Sequence, residues 1–190
     1  MNAKKHGEML SVGIAMPRWL EELESGFAGQ VIAGDEAKLR FVVDIANKNV
    51  INETGGPFAA AVFDLASERL IAVGINVVVP ARQSWAHAEM TAFSRAQDKL
   101  DRGSLRGCML ATSGEPCAMC SGATPWSGVG KMIYAAPREM AEKIGFDEGY
   151  KGERWREEFA RRGIQITGPL LGEDAFAPFA LYAGKHGRIY

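Results

Sequence analysis

From Asp35 to about Asn52, the apolar residues Leu39, Val42, Val43, Ile45, Ala46 and Val50 recur at near-helical spacing, and Asp35 is placed to cap the helix they predict. Gly55-Gly56-Pro57 breaks this pattern, and FAAAVFD then reads as a strand. After ASER, the apolar run LIAVGINVVV predicts a second, mostly buried strand. The loop PARQSW leads to a helix from near His87 to about Leu100. CMLATS follows as a third strand, and Pro116 opens a helix from about Cys117 to Trp126. KMIYAA is a fourth strand, with a helix from about Arg138 to Ile144 behind it. The remainder reads as a helical piece around ERWREEFARRG, a short strand GIQIT, and a last helix from Glu173 to about Lys185. A hairpin followed by strands alternating with helices predicts a three-layer α/β/α domain, parallel in its second half. Residues 1–34 read as an N-terminal extension ending in a short helix around PRWLEELESGF, and residues 35–190 as the domain itself.

Composition bounds the function. The chain has 190 residues, enough for one domain with a sizeable core. Its formal charge of −1 leaves no basic surplus for a phosphate backbone, so no nucleic-acid partner is expected. No apolar run approaches the ~18 residues of a membrane helix. The opening MNAKKHGEML has only a short apolar stretch after it, broken by Gly13 and Pro17, which is not the pattern of a signal peptide. The expected compartment is therefore the cytoplasm. Three cysteines, two of them in C-x-x-C, suit a reducing compartment with a metal or redox site better than a disulfide framework.

Two fragments carry the candidate chemistry: His87-Ala88-Glu89 at one expected helix start, and Cys117 with Cys120 at the next. Alone, C-x-x-C fits a redox dithiol, half a zinc site, or two buried thiols. Residues three apart share a helix face, so both sulfurs can address one ion. A helix N-terminus also stabilises thiolate. If the two helices lie on one side of a parallel sheet, their starts are neighbours at the strand ends. His87, Cys117 and Cys120 then make three ligands of a tetrahedral zinc with one position open, as in catalytic sites. Two thiolates cancel the charge of the ion and acidify a bound water less than neutral histidines would, so a separate base is required. Glu89 is the expected proton shuttle and not a ligand. Cys108 reads as a small buried hydrophobe, His6 and His186 as terminal polar residues, and Glu115 as the holder of a turn. Arg154, Arg156, Arg161 and Arg162 belong to a mixed-charge helix face.

The H-A-E…P-C-x-x-C arrangement resembles the cytidine deaminase superfamily over about Asp35 to Gly149. GGPFAAAVF, the asparagine eleven residues before His87 in GINVVVPARQSWAHAE, TSGEPCAMCSGA, IGFDEG and the terminal GRIY look like its guanine deaminase branch. The resemblance implies a cytidine deaminase-like fold with a five-stranded mixed sheet and one Zn2+ per chain. It also implies hydrolysis of guanine to xanthine and ammonia. Other amino-heterocycles remain open (ammeline, cytosine, guanosine, adenosine in tRNA), as does a non-catalytic zinc-stabilised binding protein. The resemblance further implies that Asn76 addresses a base edge, where it otherwise fixes its own loop. It has Phe58 stack on a planar ring, where it otherwise joins the core. Ala88 would supply backbone groups to the pocket wall, and Trp126 would line the pocket or pack its helix on the sheet. Asp147 and above all Glu148 would supply a second carboxylate near the departing amine. The tail after about Gly184, ending on Tyr190, would cover the active site of the other subunit of a homodimer. Pro125, inside the helix after the second cysteine, departs from this pattern, and the first thirty residues match nothing in it.

Overall fold

The structure is a computed structural model that describes residues 14–190, so His6 and the segment MNAKKHGEML lie outside the described residues. Helix α1 (Arg18–Gly26) and helix α2 (Asp35–Ile51) precede the hairpin β1 (Ala59–Asp64) and β2 (Leu70–Ile75). A single helical turn α3 (Val78–Ala81) and helix α4 (Ala88–Leu100) lead to β3 (Cys108–Gly114). Then come α5 (Ala118–Ser127), β4 (Lys131–Ala136), α6 (Arg138–Glu142), α7 (Trp155–Arg161) and β5 (Gln165–Thr167). A 3-10 turn, Gly172–Phe176, precedes α8 (Ala177–Gly184).

The five strands form one sheet in the order β2-β1-β3-β4-β5, with β1 antiparallel to both neighbours and β3, β4 and β5 parallel. The sheet is buried on both faces, and the period of two along each strand sorts its residues. Ala59, Ala61 and Phe63 of β1, with Met109 and Ala111 of β3, pack on the α2 side beside Leu39, Val42 and Phe179. Ala60, Val62, Leu110 and Met132 pack on the opposite side beside Ala92, Phe93 and Ala96 of α4. This is the three-layer α/β/α arrangement the alternation predicts.

Four local differences from the sequence reading have physical causes. Strand β2 stops at Ile75, where its partner β1 begins at Ala59, and Val77 to Ala81 instead wind into α3. Asp35 does not cap α2; Gly34 precedes that helix, and the Asp35 carboxylate takes two hydrogen bonds of 2.7 Å from Lys131 Nζ. The last helix is two pieces, a 3-10 turn running into α8 with Pro178 in its first turn. Residues 14–34 join the body of the fold: Met16 and Leu20 enter the core, and Glu24 accepts a hydrogen bond from Val73 N at 2.6 Å while pairing with Arg95 and Lys99. That carboxylate satisfies an amide on the outer edge of β2, which would otherwise invite another strand. No helix among the described residues is long and apolar enough to cross a membrane.

Candidate active site

The carboxyl ends of β2, β3 and β4 lie beside the amino end of β1, and the segments leaving them converge on one cleft. Helices α4 and α5 cover the same face of the sheet with their first turns adjacent. Gly74 permits the close seat of α4: a Cβ there would fall 2.3 Å from the Ala88 carbonyl oxygen and from Ala92 N. His87 is the residue before α4, in extended conformation, and its ring makes no cap hydrogen bond, so it is free to turn into the cleft. Cys117 holds the equivalent place before α5, where its Sγ accepts from Cys120 N at 3.5 Å. The Cys117 Sγ also lies 3.5 Å from His87 Nδ1. One ligand atom from each of His87, Cys117 and Cys120 falls within 4.8 Å of the other two. Two buried sulfurs and one imidazole nitrogen at that separation suit zinc.

The titration of the cluster follows from its compactness. A hydrogen bond from Cys120, then one from His87, pulls the Cys117 thiol down to about 4, although burial opposes this. Cys120 moves well above the usual thiol range, first because of its hydrogen bond to Cys117 and then through burial. The two sulfurs thus hold one proton between them, which a divalent cation displaces. Burial lowers the His87 imidazole, but the Cys117 hydrogen bond and the nearby Glu89 charge outweigh it and the net shift is upward.

Glu89, in the first turn of α4, is buried, and that burial raises its carboxyl above the usual range. Glu148 is also buried and is pushed up to about 8, first by desolvation and then by the charges of Cys117 and Glu89. The loop that carries it is docked on the cysteine segment, because Ala118 N donates to the Glu148 carbonyl oxygen at 2.9 Å. Asp147 sits at the rim with its side chain exposed, and its Oδ1 accepts from Gly149 N at 2.8 Å, so that carboxylate shapes the loop. Asn76 and Phe58 both line the cleft. The Phe58 ring meets Phe146 edge-on at 5.1 Å and Phe179 at 5.3 Å, and Tyr190 meets Phe146 at 5.2 Å. These rings line a narrow, nearly closed slot with a free volume of only about 30 Å³.

Two expected pocket residues are elsewhere. Trp126 is 86 % exposed. The inward positions of α5 are Cys120, Ser121, Thr124 and Ser127, and Trp126 falls out of phase with them. Ala88 is buried against the sheet side of α4, its carbonyl accepts from Thr91 Oγ1 at 3.0 Å, and it does not line the cleft. The tail reaches the cleft: within this single chain Tyr190 lines it. His186 adopts a left-handed conformation (φ 53°) and Gly187 N donates to the Tyr182 carbonyl at 3.0 Å, reversing the chain after α8. Gly187 is required here, since a Cβ would lie 2.3 Å from the Tyr182 ring, whose hydroxyl donates to the Arg188 carbonyl at 2.7 Å.

Two cleft residues were given no place in the pocket from the sequence, where Glu115 was read only as the holder of a turn. Phe146 supplies a wall and sits inside the quoted IGFDEG. Glu115 lines the cleft and forms a nearly buried ion pair with Lys151, whose Nζ also donates to the Pro116 carbonyl at 2.7 Å. No spacing rule connects Glu115 to a lysine thirty-six residues away. A larger surface groove lined by Ile14, Met16, Thr54 and Val77 has no comparable convergence of titratable groups, so chemistry and not size selects the site.

The chain is similar in sequence and fold to known proteins. The chain is 37% identical to the guanine deaminase of Bacillus subtilis (strain 168) over 115 residues, 60% of this chain and 72% of that protein. It superposes on a solved structure of guanine deaminase from Nitrosomonas europaea with a TM-score of 0.85 at 42% identity, covering 92% of this chain and 97% of the other. A solved structure of NE0047 in complex with 2,6-diaminopurine gives a TM-score of 0.88 at 43% identity, over 95% and 96% of the two chains. The family model described as the cytidine and deoxycytidylate deaminase zinc-binding region matches residues 33–136, a span that carries His87, Glu89, Cys117 and Cys120. With more than half of its length matched, the chain belongs to the cytidine and deoxycytidylate deaminase zinc-binding family.

Proposed function

We propose that this protein is a zinc-dependent aminohydrolase of a free purine base, converting guanine and water to xanthine and ammonia. The observation that carries the reading is two buried, upward-shifted carboxyls beside the His87–Cys117–Cys120 cluster, facing an aromatic slot. His87, Cys117 and Cys120 would hold the zinc, which would supply Lewis acidity to a water molecule near neutral pH. Glu89 takes a proton from that water and hands it to the ring nitrogen next to the amino-bearing carbon. The water oxygen bonds to that carbon, the carbon–nitrogen bond then breaks, and one water proton leaves with ammonia while the other stays on the product. Glu148 hydrogen-bonds the departing amine, Asn76 meets the edge of the base, and Phe58 and Phe146 hold its plane. The similarity to a guanine deaminase structure over 92% of this chain supports guanine over the other amino-heterocycles.

The test is ammonia release from the zinc-loaded protein with guanine, ammeline, guanosine and cytosine. Guanine is expected to react with the highest kcat/KM. Turnover of another base with guanine inert would sink the assignment. A free base without phosphates should also react with little salt dependence: kcat/KM for guanine is expected to change less than about two-fold between 50 and 200 mM salt. A partner held by six to ten phosphate contacts loses roughly 10³–10⁵ in affinity over that range. Tight, steeply salt-dependent binding of a tRNA anticodon stem-loop would refute the free-base reading.

The tail acts as a lid, and we further read the protein as a homodimer that exchanges it. Met119, Trp126 and Ile189 leave exposed apolar surface suited to a partner, and exchange needs only the turn at 185–187 to open. Deleting residues 186–190 is expected to keep zinc and fold while lowering turnover, because the cleft then opens to bulk water. Full activity in the truncated protein would remove the lid role. Mixing truncated chains with full-length Glu89→Ala chains should restore activity if tails are exchanged. No restoration would leave the tail on its own chain's cleft.

A further inference from the structure

The catalytic reading assigns nothing to α1 or to the fully buried Asn49 near the end of α2. Asn49 uses both amide hydrogens: Nδ2 donates to the Gly56 carbonyl at 2.8 Å and to the Asn76 carbonyl at 2.9 Å. Its Oδ1 accepts from Thr54 Oγ1 at 2.7 Å. Thr54 Oγ1 in turn accepts from the indole Nε1 of Trp19, on α1, at 3.1 Å. All donors therefore point one way, from the N-terminal helix through Thr54 and Asn49 to the backbone of Gly56 and Asn76. The receiving end is tight. Gly56 N donates to the same Asn76 carbonyl at 3.2 Å, and a Cβ on Gly55 would lie 1.8 Å from that oxygen. The Asn76 side chain is fixed by the same segment, its Oδ1 accepting from Val78 N at 3.3 Å. Asn76 lines the cleft, and Gly56 packs against the Tyr190 hydroxyl, where a Cβ would be only 2.4 Å away.

We propose that Trp19, Thr54 and Asn49 are positioning residues, a hydrogen-bonded relay by which the N-terminal helix holds Asn76 in register with the edge of the bound base and so sets which base is accepted. Trp19 lies outside the matched family region of 33–136, so the relay joins a segment beyond that region to its recognition loop. A buried asparagine with every donor used has one geometry, and shifting it moves the carbonyl of Asn76. The inference rests on the reading that Asn76 addresses the substrate.

Thr54→Val removes the central hydroxyl at nearly constant shape, and Trp19→Phe removes the first donor together with part of a ring that packs on the core. Each is expected to raise KM for guanine roughly 3- to 10-fold, the span of one lost hydrogen bond, with a smaller change in kcat. The ratio of kcat/KM for guanine to that for 2,6-diaminopurine should shift as well, and Thr54→Ser should restore both. Hydrogen exchange at the Gly56 amide should accelerate in Thr54→Val while exchange in β3 and β4 stays as in the parent protein. Unchanged KM, ratio and Gly56 exchange in Thr54→Val with full zinc would overturn the relay. So would an equal loss for both bases that follows the fall in Tm and is not rescued by serine. If the parent protein releases no ammonia from any base, the proposed function fails. Gly56 exchange still decides the relay, supporting it if faster exchange is confined to residues 54–58 and 76 and refuting it if exchange is unchanged.

Discussion

Replacing Glu89 by glutamine is expected to lower kcat by at least ~10²–10⁴-fold, the usual contribution of a general acid–base, while one zinc per chain is retained. The carboxyl is buried in the first turn of α4 beside His87, and burial favours the protonated form that the proposed proton transfer to the base requires. Glutamine keeps the shape and the hydrogen-bonding oxygen but can neither take nor return a proton. The ligand cluster is complete without this residue, so metal content should match the parent protein. Stability should hold too. Losing a negative charge at a helix start costs about 0.3–1 kcal/mol, and relieving the desolvation of a buried carboxylate opposes that loss. Metal analysis, thermal melting and single-turnover ammonia release separate the outcomes. If zinc falls with activity, Glu89 is a ligand and the shuttle role is wrong.

Cys117→Ala should have the other large effect, loss of most of the zinc and with it all measurable turnover. Cys117 has two physical roles, as a sulfur within 4.8 Å of the other ligand atoms and as the cap whose Sγ accepts from Cys120 N. Removing a helix cap costs about 0.5–2 kcal/mol. Losing the ion removes its binding free energy from the folded state as well, so Tm should drop further than a cap alone explains. Cys117→Ser tells the two apart, because its oxygen can still cap α5 but is a poorer match for zinc. Chelator-treated parent protein should melt near the serine variant, and the alanine variant lower than both. Full zinc retention in Cys117→Ala would mean the ligand set is misassigned.

The sequence by itself determined the layer architecture and marked the candidate metal ligands. The near-continuous apolar runs of β1 and β2 and the helical spacing in α2 are local patterns, and burial on both faces of the sheet follows from the runs. His87, Cys117 and Cys120 were legible as candidate ligands for the same reason, since C-x-x-C and His-x-Glu each mark a helix start, while their convergence came from the packing of α4 beside α5. What only the tertiary structure decided lies between segments distant in the chain. The Glu115–Lys151 pair, the aromatic slot of Phe58, Phe146 and Tyr190, and the Trp19–Thr54–Asn49 path to Asn76 have no spacing that announces them. Trp126 was not legible because a residue's helix does not fix its phase against the sheet; packing set that phase and turned Trp126 to the surface. The seat of the tail depends on Gly187 closing against the Tyr182 ring, a contact between side chain and backbone that composition does not reveal. Local hydrogen bonding and periodicity are written in neighbouring residues, whereas the fit of a substrate pocket is set by which distant surfaces the packed core brings together.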